Sequence, residues 1–357
     1  MTDEQGGAGD ALMDMMNVEM HATDQELGNQ STTGEKEEGY YEFTDSLGRK
    51  VLVPYNIKRV IPSGVFVQNM LCSLCPEKLV AVTATIEKGD VEAYRRAGME
   101  HVPTLPETGE LYSRHNRTIN TSKIATIDAD IFVDIGYHMD DLKSCLDYVQ
   151  KKTEKPAVSI DGTFGNLPQA YRVFGKLLGC ERRAEVLASY IERLYSSIEE
   201  KRKNVTTSPK ILYVGNEMWL ITKDHLRNKV IAYLGGTPVL SHGEPIDIDF
   251  IIKQNVDYIM FYNYGVFHSI LNKQGEAYEM WSPVPAIQKN GYAVAPGLYH
   301  SWIGSPLFVQ TILLPWLGNF FWPNAYNFDM VQLTREYYDL FFGYTMSADE
   351  AVTLLGW

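Results

Sequence analysis

Two α/β halves with mainly parallel central sheets, joined by one long helix, are what this 357-residue sequence predicts. Three observations carry that expectation. Strand-like apolar runs alternate with helical patterns across residues 40–166, and the same alternation resumes after residue 204. Alternation of this kind argues for βαβ units and parallel pairing. Between the two stretches, residues 167–203 carry apolar side chains at helical spacing, broken only at Gly179-Cys180. The expected organisation is a tail over 1–39, a first half over 40–166, a connecting helix over 167–203 and a second half over 204–357.

The elements follow in order. YYEFTDSLGRKVLVP reads as two short strands around the turn Asp45-Ser46-Leu47-Gly48, with Pro54 closing the hairpin. KRVIPSG is a short apolar strand, followed by a helix through Val67, Met70, Leu71 and Leu74. KLVAVTA reads as a buried strand, Asp130–Ile135 as another, then a helix near Asp140–Lys151 and a strand at Ala157–Ile160. In the connecting region, Ala170, Val173, Phe174, Leu177 and Leu178 form one apolar stripe, and Ala184, Leu187, Ile191, Leu194 and Ile198 a second. KILYVG, VDYIMFYN and YAVAP are the later strands, HLRNKVIAYLGG is a helix stopped by Gly-Gly, and the aromatic-rich C-terminus is helical.

Composition narrows the function. With 45% apolar and 12% aromatic residues the chain can bury a large core. Its formal charge of −13 makes nucleic acid a poor partner, because phosphate binding needs concentrated basic surface. Ten acidic side chains and one lysine give residues 1–39 a charge of −9, leaving −4 for the rest. That tail is too polar to bury enough surface to order itself, so it reads as disordered; an acidic interaction arm, or local folding through Ala11–Met20, are the alternatives. No run of about 18 apolar residues is present. Nothing at the N-terminus fits a secretory leader. The chain is therefore cytoplasmic, or a mature chain whose leader is gone and whose tail is a tether to an anchor.

The hairpin and strand in FTDSLGRKVLVPYNIKRVIPSG, the segments EKLVAVTA, IDADIFVDIG and VDYIMFYN, the approach SPVPAIQKNGYAVAP, and the ending LPWLGNFFWP…LTREYYDLFFGYTMSADEAVTLL resemble, in order over about residues 40–357, one family. It is that of the class III periplasmic binding proteins, the substrate-binding components of ABC importers for iron siderophores, haem and cobalamin. The resemblance implies a cleft between two lobes, little lobe closure about a rigid helix, and delivery of cargo to a permease and its ATPase subunits. It also implies an extracytoplasmic monomer, periplasmic or a lipoprotein, with no cofactor and no enzymatic activity. The expected cargo is a chelated iron compound, siderophore or haem; molybdate, tungstate or cobalamin are the alternatives.

Ligands of open α/β sheets bind beyond the carboxyl ends of the strands. That rule selects Ser63, Gly64 and Phe66 after the first parallel strand, Tyr137 and His138 after IFVDIG, Trp219 after KILYVG, Tyr264 after YIMFYN, and Tyr299, His300 and Trp302 after YAVAP. Phenolate and imidazole are iron ligands in haem-type sites, so Tyr299 and His300 are the candidate metal ligands. Their alternative role, with Trp302, is to cap the core. Tyr112, Arg114 and His115 lie in a polar loop that the resemblance places near the cleft, where guanidinium suits carboxylate or oxyanion recognition. By the same resemblance Glu92 or Glu100, and Glu244, are candidates for permease docking.

Cys72-Ser-Leu-Cys75 sits in a helical pattern without a second CxxC and reads as helix packing. No Walker loop, GxSxG, GxGxxG or HExxH pattern occurs. A metal-cluster enzyme would need its four cysteines in a cluster-binding arrangement, and their spacing does not suggest one.

Overall fold

In the computed structural model the described residues are 39–86, 88–111, 118–136, 141–215, 226–239, 247–298, 300–302 and 306–356. The acidic tail expected over residues 1–39 lies outside them except for Gly39.

The chain opens with β1 (Tyr40–Thr44) and β2 (Lys50–Pro54), an antiparallel hairpin that buries Val51 and Val53 on one face. Asp45 shapes its turn: Oδ1 accepts from the N–H groups of Leu47 (3.0 Å) and Arg49 (2.9 Å). Arg49 returns its guanidinium to Asp45 Oδ2 at 2.7 Å and reaches on to Asp147 (3.0 Å) and the Ala157 carbonyl. The turn thereby docks on the first parallel sheet, where Ser46 N also donates to Ser159 O at 2.9 Å.

That sheet holds β3 (Val60–Pro62), β4 (Ile131–Asp134) and β5 (Ala157–Ser159), parallel, with β4 central and every residue buried. Strands buried on both faces need continuous apolar runs, which is what VIP, IFVD and AVS nearly supply. Around them lie α1 (Val65–Leu74), α2 (Lys88–Arg96), α3 (Thr121–Thr126) and α4 (Leu142–Thr153). The expected strand KLVAVTA is absent. Only single bridges form there, Val60 with Leu79 and Val82 with Glu107. The chain leaves the sheet because Thr83 N donates to the Gln68 side chain at 2.8 Å, while Val82 pairs with the Pro106–Thr108 segment instead.

The connecting helix is two helices, α5 (Leu167–Leu178) and α6 (Glu181–Arg202), meeting at Gly179, whose φ of 68° is the left-handed conformation that glycine adopts freely. A Cβ on Gly175 would stand 2.4 Å from the Ala184 Cβ, so the corner is closed by direct backbone approach.

The second sheet has the order β7 (Thr237–Pro238), β6 (Lys210–Val214), β8 (Tyr258–Phe261), β9 (Tyr292–Val294), again all parallel. Its helices are α7 (Leu226–Leu234), α8 (Ile248–Gln254), α9 (Tyr264–Asn272), α10 (Glu276–Trp281) and α11 (Pro285–Gln288). After a two-rung hairpin, β10 (Gly297–Leu298) with β11 (His300–Ser301), come α12 (Pro306–Val309), α13 (Leu313–Phe321), α14 (Pro323–Tyr326), α15 (Met330–Phe342) and α16 (Ala348–Leu355).

Alternation along the strands divides the core. Ile131 and Val133 of β4, Ile211 and Tyr213 of β6, and Met260 of β8 belong to one large cluster with Leu187, Ile191, Leu194 and Ile198 of α6. Phe132 faces a second cluster with Leu142, Leu146 and Val149, and Ile259 and Phe261 face a third with Trp281. The last helices return to the first half. Arg96 of α2 pairs with Glu350 at 2.5 Å, and Arg183 donates to the Ser73 carbonyl at 3.1 Å and to that of Leu340.

Removing Asp45 takes away the buried anion of a buried guanidinium and leaves it only the half-exposed Asp147. Asp45→Ala is expected to lower the unfolding free energy by about 3–5 kcal/mol in urea titration, and Asp45→Ala with Arg49→Met by clearly less.

Candidate functional site

The carboxyl end of the first sheet is organised by one buried acid. Asp134, the last residue of β4, is 0% exposed. Its Oδ1 accepts from Ser63 Oγ at 2.6 Å, and Oδ2 from Ser159 Oγ at 3.0 Å and from the Gly136 N–H at 2.6 Å. Those donors follow β3, close β5 and follow β4, so a single carboxylate ties three strand ends together. Gly136 has φ 59°, and a Cβ there would lie 3.0 Å from the Ile160 carbonyl oxygen. Ser63, expected as a ligand contact, is 1% exposed and donates inward to Asp134. Gly64 caps α1 with extended backbone, and Phe66 packs half-buried against the core.

The start of α1 already faces an anion. Glu110 accepts from the Val65 N–H at 3.4 Å, and burial raises its pKa above the ordinary carboxylate value, opposed by that bond and by one from Thr83. An anionic ligand group approaching this helix terminus would meet the Glu110 carboxylate unless a proton neutralised it. Nothing local in the sequence marks Glu110, because its partner Val65 lies 45 residues away.

In the second half, Asn263 Oδ1 caps α9 through the Val266 N–H at 3.1 Å. Next to it Tyr264 is 41% exposed and donates its hydroxyl to the Ala295 carbonyl at 2.5 Å, joining α9 to the segment after β9. Trp302, another expected ligand contact, is 0% exposed. Its Nε1 donates to Tyr338 Oη at 2.8 Å, and the same phenol accepts from Leu298 N at 3.1 Å and donates to Leu298 O at 3.2 Å. The indole is thus a packing residue beneath the β10–β11 hairpin, the capping role rather than a face turned to cargo. His300 contributes its backbone to β11.

The segment that follows this hairpin touches helices of both halves. Helix α12 contacts both α1, which follows β3, and α7, which follows β6. Beside it the fully buried Gln310 donates to Gly162 O at 3.0 Å and accepts from Gly165 N at 3.2 Å, clamping the segment after β5. Phe164 of that segment meets Tyr233 of α7 edge-on at 5.2 Å.

A cavity of about 840 Å³ flanks β9 and is lined by Tyr264, His268, Tyr292, Trp316 and Phe320 of the second half with Asp90 of the first. Its size suits an organic ligand. Tyr264 is the expected site residue it contains; Ser63, Gly64 and Phe66 are elsewhere. Glu92 is exposed and held below the usual carboxylate range by Arg95, 2.5 Å away. Tyr112, Arg114, His115, Tyr137, His138, Trp219, Tyr299 and Glu244 lie outside the described residues. Among the described residues, no group of three or more His, Cys, Asp or Glu side chains is placed to hold a metal ion, and no helix is long and apolar enough to cross a membrane.

Residues 148–296 match the family model of periplasmic binding proteins. The structure is similar to an ABC transporter solute binding protein from Sulfurospirillum deleyianum, with a TM-score of 0.75 at 18% identity over 88% of this chain and 99% of that one. Against the Haemophilus influenzae molybdate periplasmic binding protein MolA, solved bound to molybdate, the score is 0.68 at 16% identity, over 86% and 99%. Against Helicobacter pylori CeuE with Ni(II) bound it is 0.67 at 14%, over 88% and 99%. No curated protein matches the sequence. The chain has the α/β fold of class III periplasmic binding proteins, as its sequence leads one to expect.

Two tests follow from the strand-end acids. Asp134→Ala strands the buried Ser63 and Ser159 hydroxyls and is expected to lower stability by about 2 kcal/mol or more in denaturant titration. For Glu110, a raised folded-state pKa means that the folded chain holds this proton more tightly than the unfolded chain, whose reference value is 4.5. Stability from this group is therefore present below that reference and lost as pH rises through the folded value. Glu110→Gln should melt higher than the parent at pH 7, with the gap shrinking towards pH 4.5; a gap that widens on acidification contradicts this.

Proposed function

We propose that this chain is the extracytoplasmic solute-binding component of an ABC importer, capturing a chelated iron compound, siderophore or haem, and delivering it to a membrane permease with its ATPase subunits. The observation that supports the reading is the contact of α12 with a helix of each half, beside Gln310, which bonds the segment after β5, in a chain whose residues 148–296 match the periplasmic binding protein model. On this reading 40–166 and 204–357 are the lobes, 167–203 is the strut, and residues 1–39 are a solvated tether of the kind a lipoprotein carries. Phe66 and Tyr264 line the cleft together with Tyr112, Arg114, His115, Tyr137, His138, Trp219, Tyr299 and His300, Tyr299 and His300 as candidate iron ligands, while the buried Ser63 and Gly64 shape the backbone behind it. Glu92 and Glu244 are the permease contacts, one per lobe.

An organic complex is favoured over a bare oxyanion by two features. The cavity beside β9 is rich in aromatic side chains, and the α1 terminus, the natural anion seat of the first half, is faced by Glu110. The oxyanion reading keeps its own support, the molybdate bound by a protein of the same fold.

A thermal-shift panel of haem, ferric siderophores, cobalamin, molybdate and tungstate tests the proposal. The true cargo, at a hundredfold excess over its dissociation constant, is expected to stabilise the fold by about 2.7 kcal/mol. Colour retained after gel filtration marks haem or a ferric chelate; a colourless protein stabilised by molybdate or tungstate selects the oxyanion. Tyr264→Ala is expected to weaken binding of an aromatic or bulky cargo about two- to tenfold by titration. No shift with any compound, together with catalytic turnover of one of them, would overturn the receptor reading.

A further inference from the structure

Four cysteines are present, and the structure sorts them in a way their spacing does not. Cys72 lies inside α1, 3% exposed, with burial pushing its thiol up to about 12. Cys145 lies apart from it, buried in the cluster beneath α4. Cys75 closes α1, its N–H bonded to the Leu71 carbonyl, whereas Cys180 precedes α6 at the corner with α5. Two hydrogen bonds hold those segments side by side: Arg183 Nε donates to Ser73 O at 3.1 Å, and Lys78 Nζ donates to the Leu178 carbonyl. Between these contacts the thiols of Cys75 and Cys180 are within hydrogen-bonding reach of each other. No disulfide joins them in the structure.

We infer that Cys75 and Cys180 are a disulfide-forming pair, whose oxidation fastens the C-terminal end of α1 to the α5–α6 corner. Their roles differ. Cys75 is 1% exposed, and its hydrogen bond to Cys180, with burial, raises its pKa. Cys180 is partly exposed, and the hydrogen bond from Cys75 and the Lys78 ammonium lower its pKa. Cys180, the more accessible of the two, is therefore the attacking thiolate and Cys75 the resolving thiol. Cys180 Sγ attacks one sulfur of a low-molecular-weight disulfide, forming a mixed disulfide and expelling one thiolate. Cys75 gives its proton to solvent and attacks Cys180 Sγ, expelling the second thiolate. Two protein thiols lose two electrons, and the external disulfide becomes two thiols. The bond closes a loop of roughly 100 residues around most of the first half, the situation in which a cross-link restricts the unfolded chain most. An oxidising extracytoplasmic setting would make it the resident form, but the chemistry does not depend on the cargo or on the receptor reading.

The full-length native chain, incubated with oxidised glutathione, alkylated under denaturing conditions without reduction and mapped by mass spectrometry, tests this. One cross-linked peptide pair joining Cys75 to Cys180 is expected, with Cys72 and Cys145 alkylated. The oxidised chain should melt at higher temperature than the reduced one, reversibly with dithiothreitol. Cys75→Ser should trap Cys180 as a glutathione adduct, and Cys180→Ser should leave Cys75 unmodified. Four alkylated cysteines after oxidation, or a Cys72–Cys75 cross-link, would overturn the inference, as would glutathione accumulating on Cys75 in Cys180→Ser.

Discussion

Each sheet of this protein has two apolar faces to bury, and one face of each is buried in the same cluster. That shared burial is the constraint on which the arrangement rests. Ile131 and Val133 from one sheet and Ile211, Tyr213 and Met260 from the other meet the stripe of α6 and the aromatic helices of the C-terminus. Tyr171, Tyr190, Tyr337 and Phe341 form a connected aromatic group within it, Tyr337 and Phe341 stacking 4.4 Å apart. Close-packed interiors do not deform continuously. Any movement of one sheet against the other must shear or reorder these contacts, so a linking helix embedded in common core is stiffer than a bare strut.

The same logic explains why polar groups gather where the strands end. Backbone and side-chain polar atoms leaving a fully buried strand must find partners before they reach water. Asp134 solves this for the first sheet by taking two hydroxyls and an amide. In the second half Tyr338 does comparable work from α15, joining Leu298 and Trp302 with one phenol. Both groups are buried and spend their bonding capacity on the scaffold. They fix the backbone where the strands end.

Much of the scaffold was legible from short-range pattern. The stripes over 167–203 and the Gly179-Cys180 break correspond to α5 and α6, and the runs around Ile131–Asp134, Lys210–Val214, Tyr258–Phe261 and Tyr292–Val294 are strands. What the sequence hid depends on distant partners. KLVAVTA has strand composition, yet Gln68 and the Pro106–Thr108 segment compete for its backbone. Trp302 looked available in an aromatic loop, and it is buried because Tyr338 comes back from the last helices to meet it. Tyr264 was legible as exposed beyond β8, but its bond to Ala295 was not. Cys72-Ser-Leu-Cys75 reads as helix packing, and Cys72 is buried inside α1, but spacing gives no sign that the end of α1 lies against the α5–α6 corner.

Glu110 connects scaffold to chemistry. A helix terminus offers unpaired N–H groups and partial positive charge, and in an open α/β sheet it points at the ligand region. Here the first N–H of α1 meets a carboxylate of the protein itself. A cargo that places negative charge at this position must either displace Glu110 or arrive with a proton, and both cost binding energy. A cargo presenting a neutral or cationic face meets no such opposition and gains an acceptor. On the proposed function, this carboxylate favours a ligand whose charge is already compensated within itself, as in a metal ion wrapped by an organic chelator, over a naked tetrahedral anion.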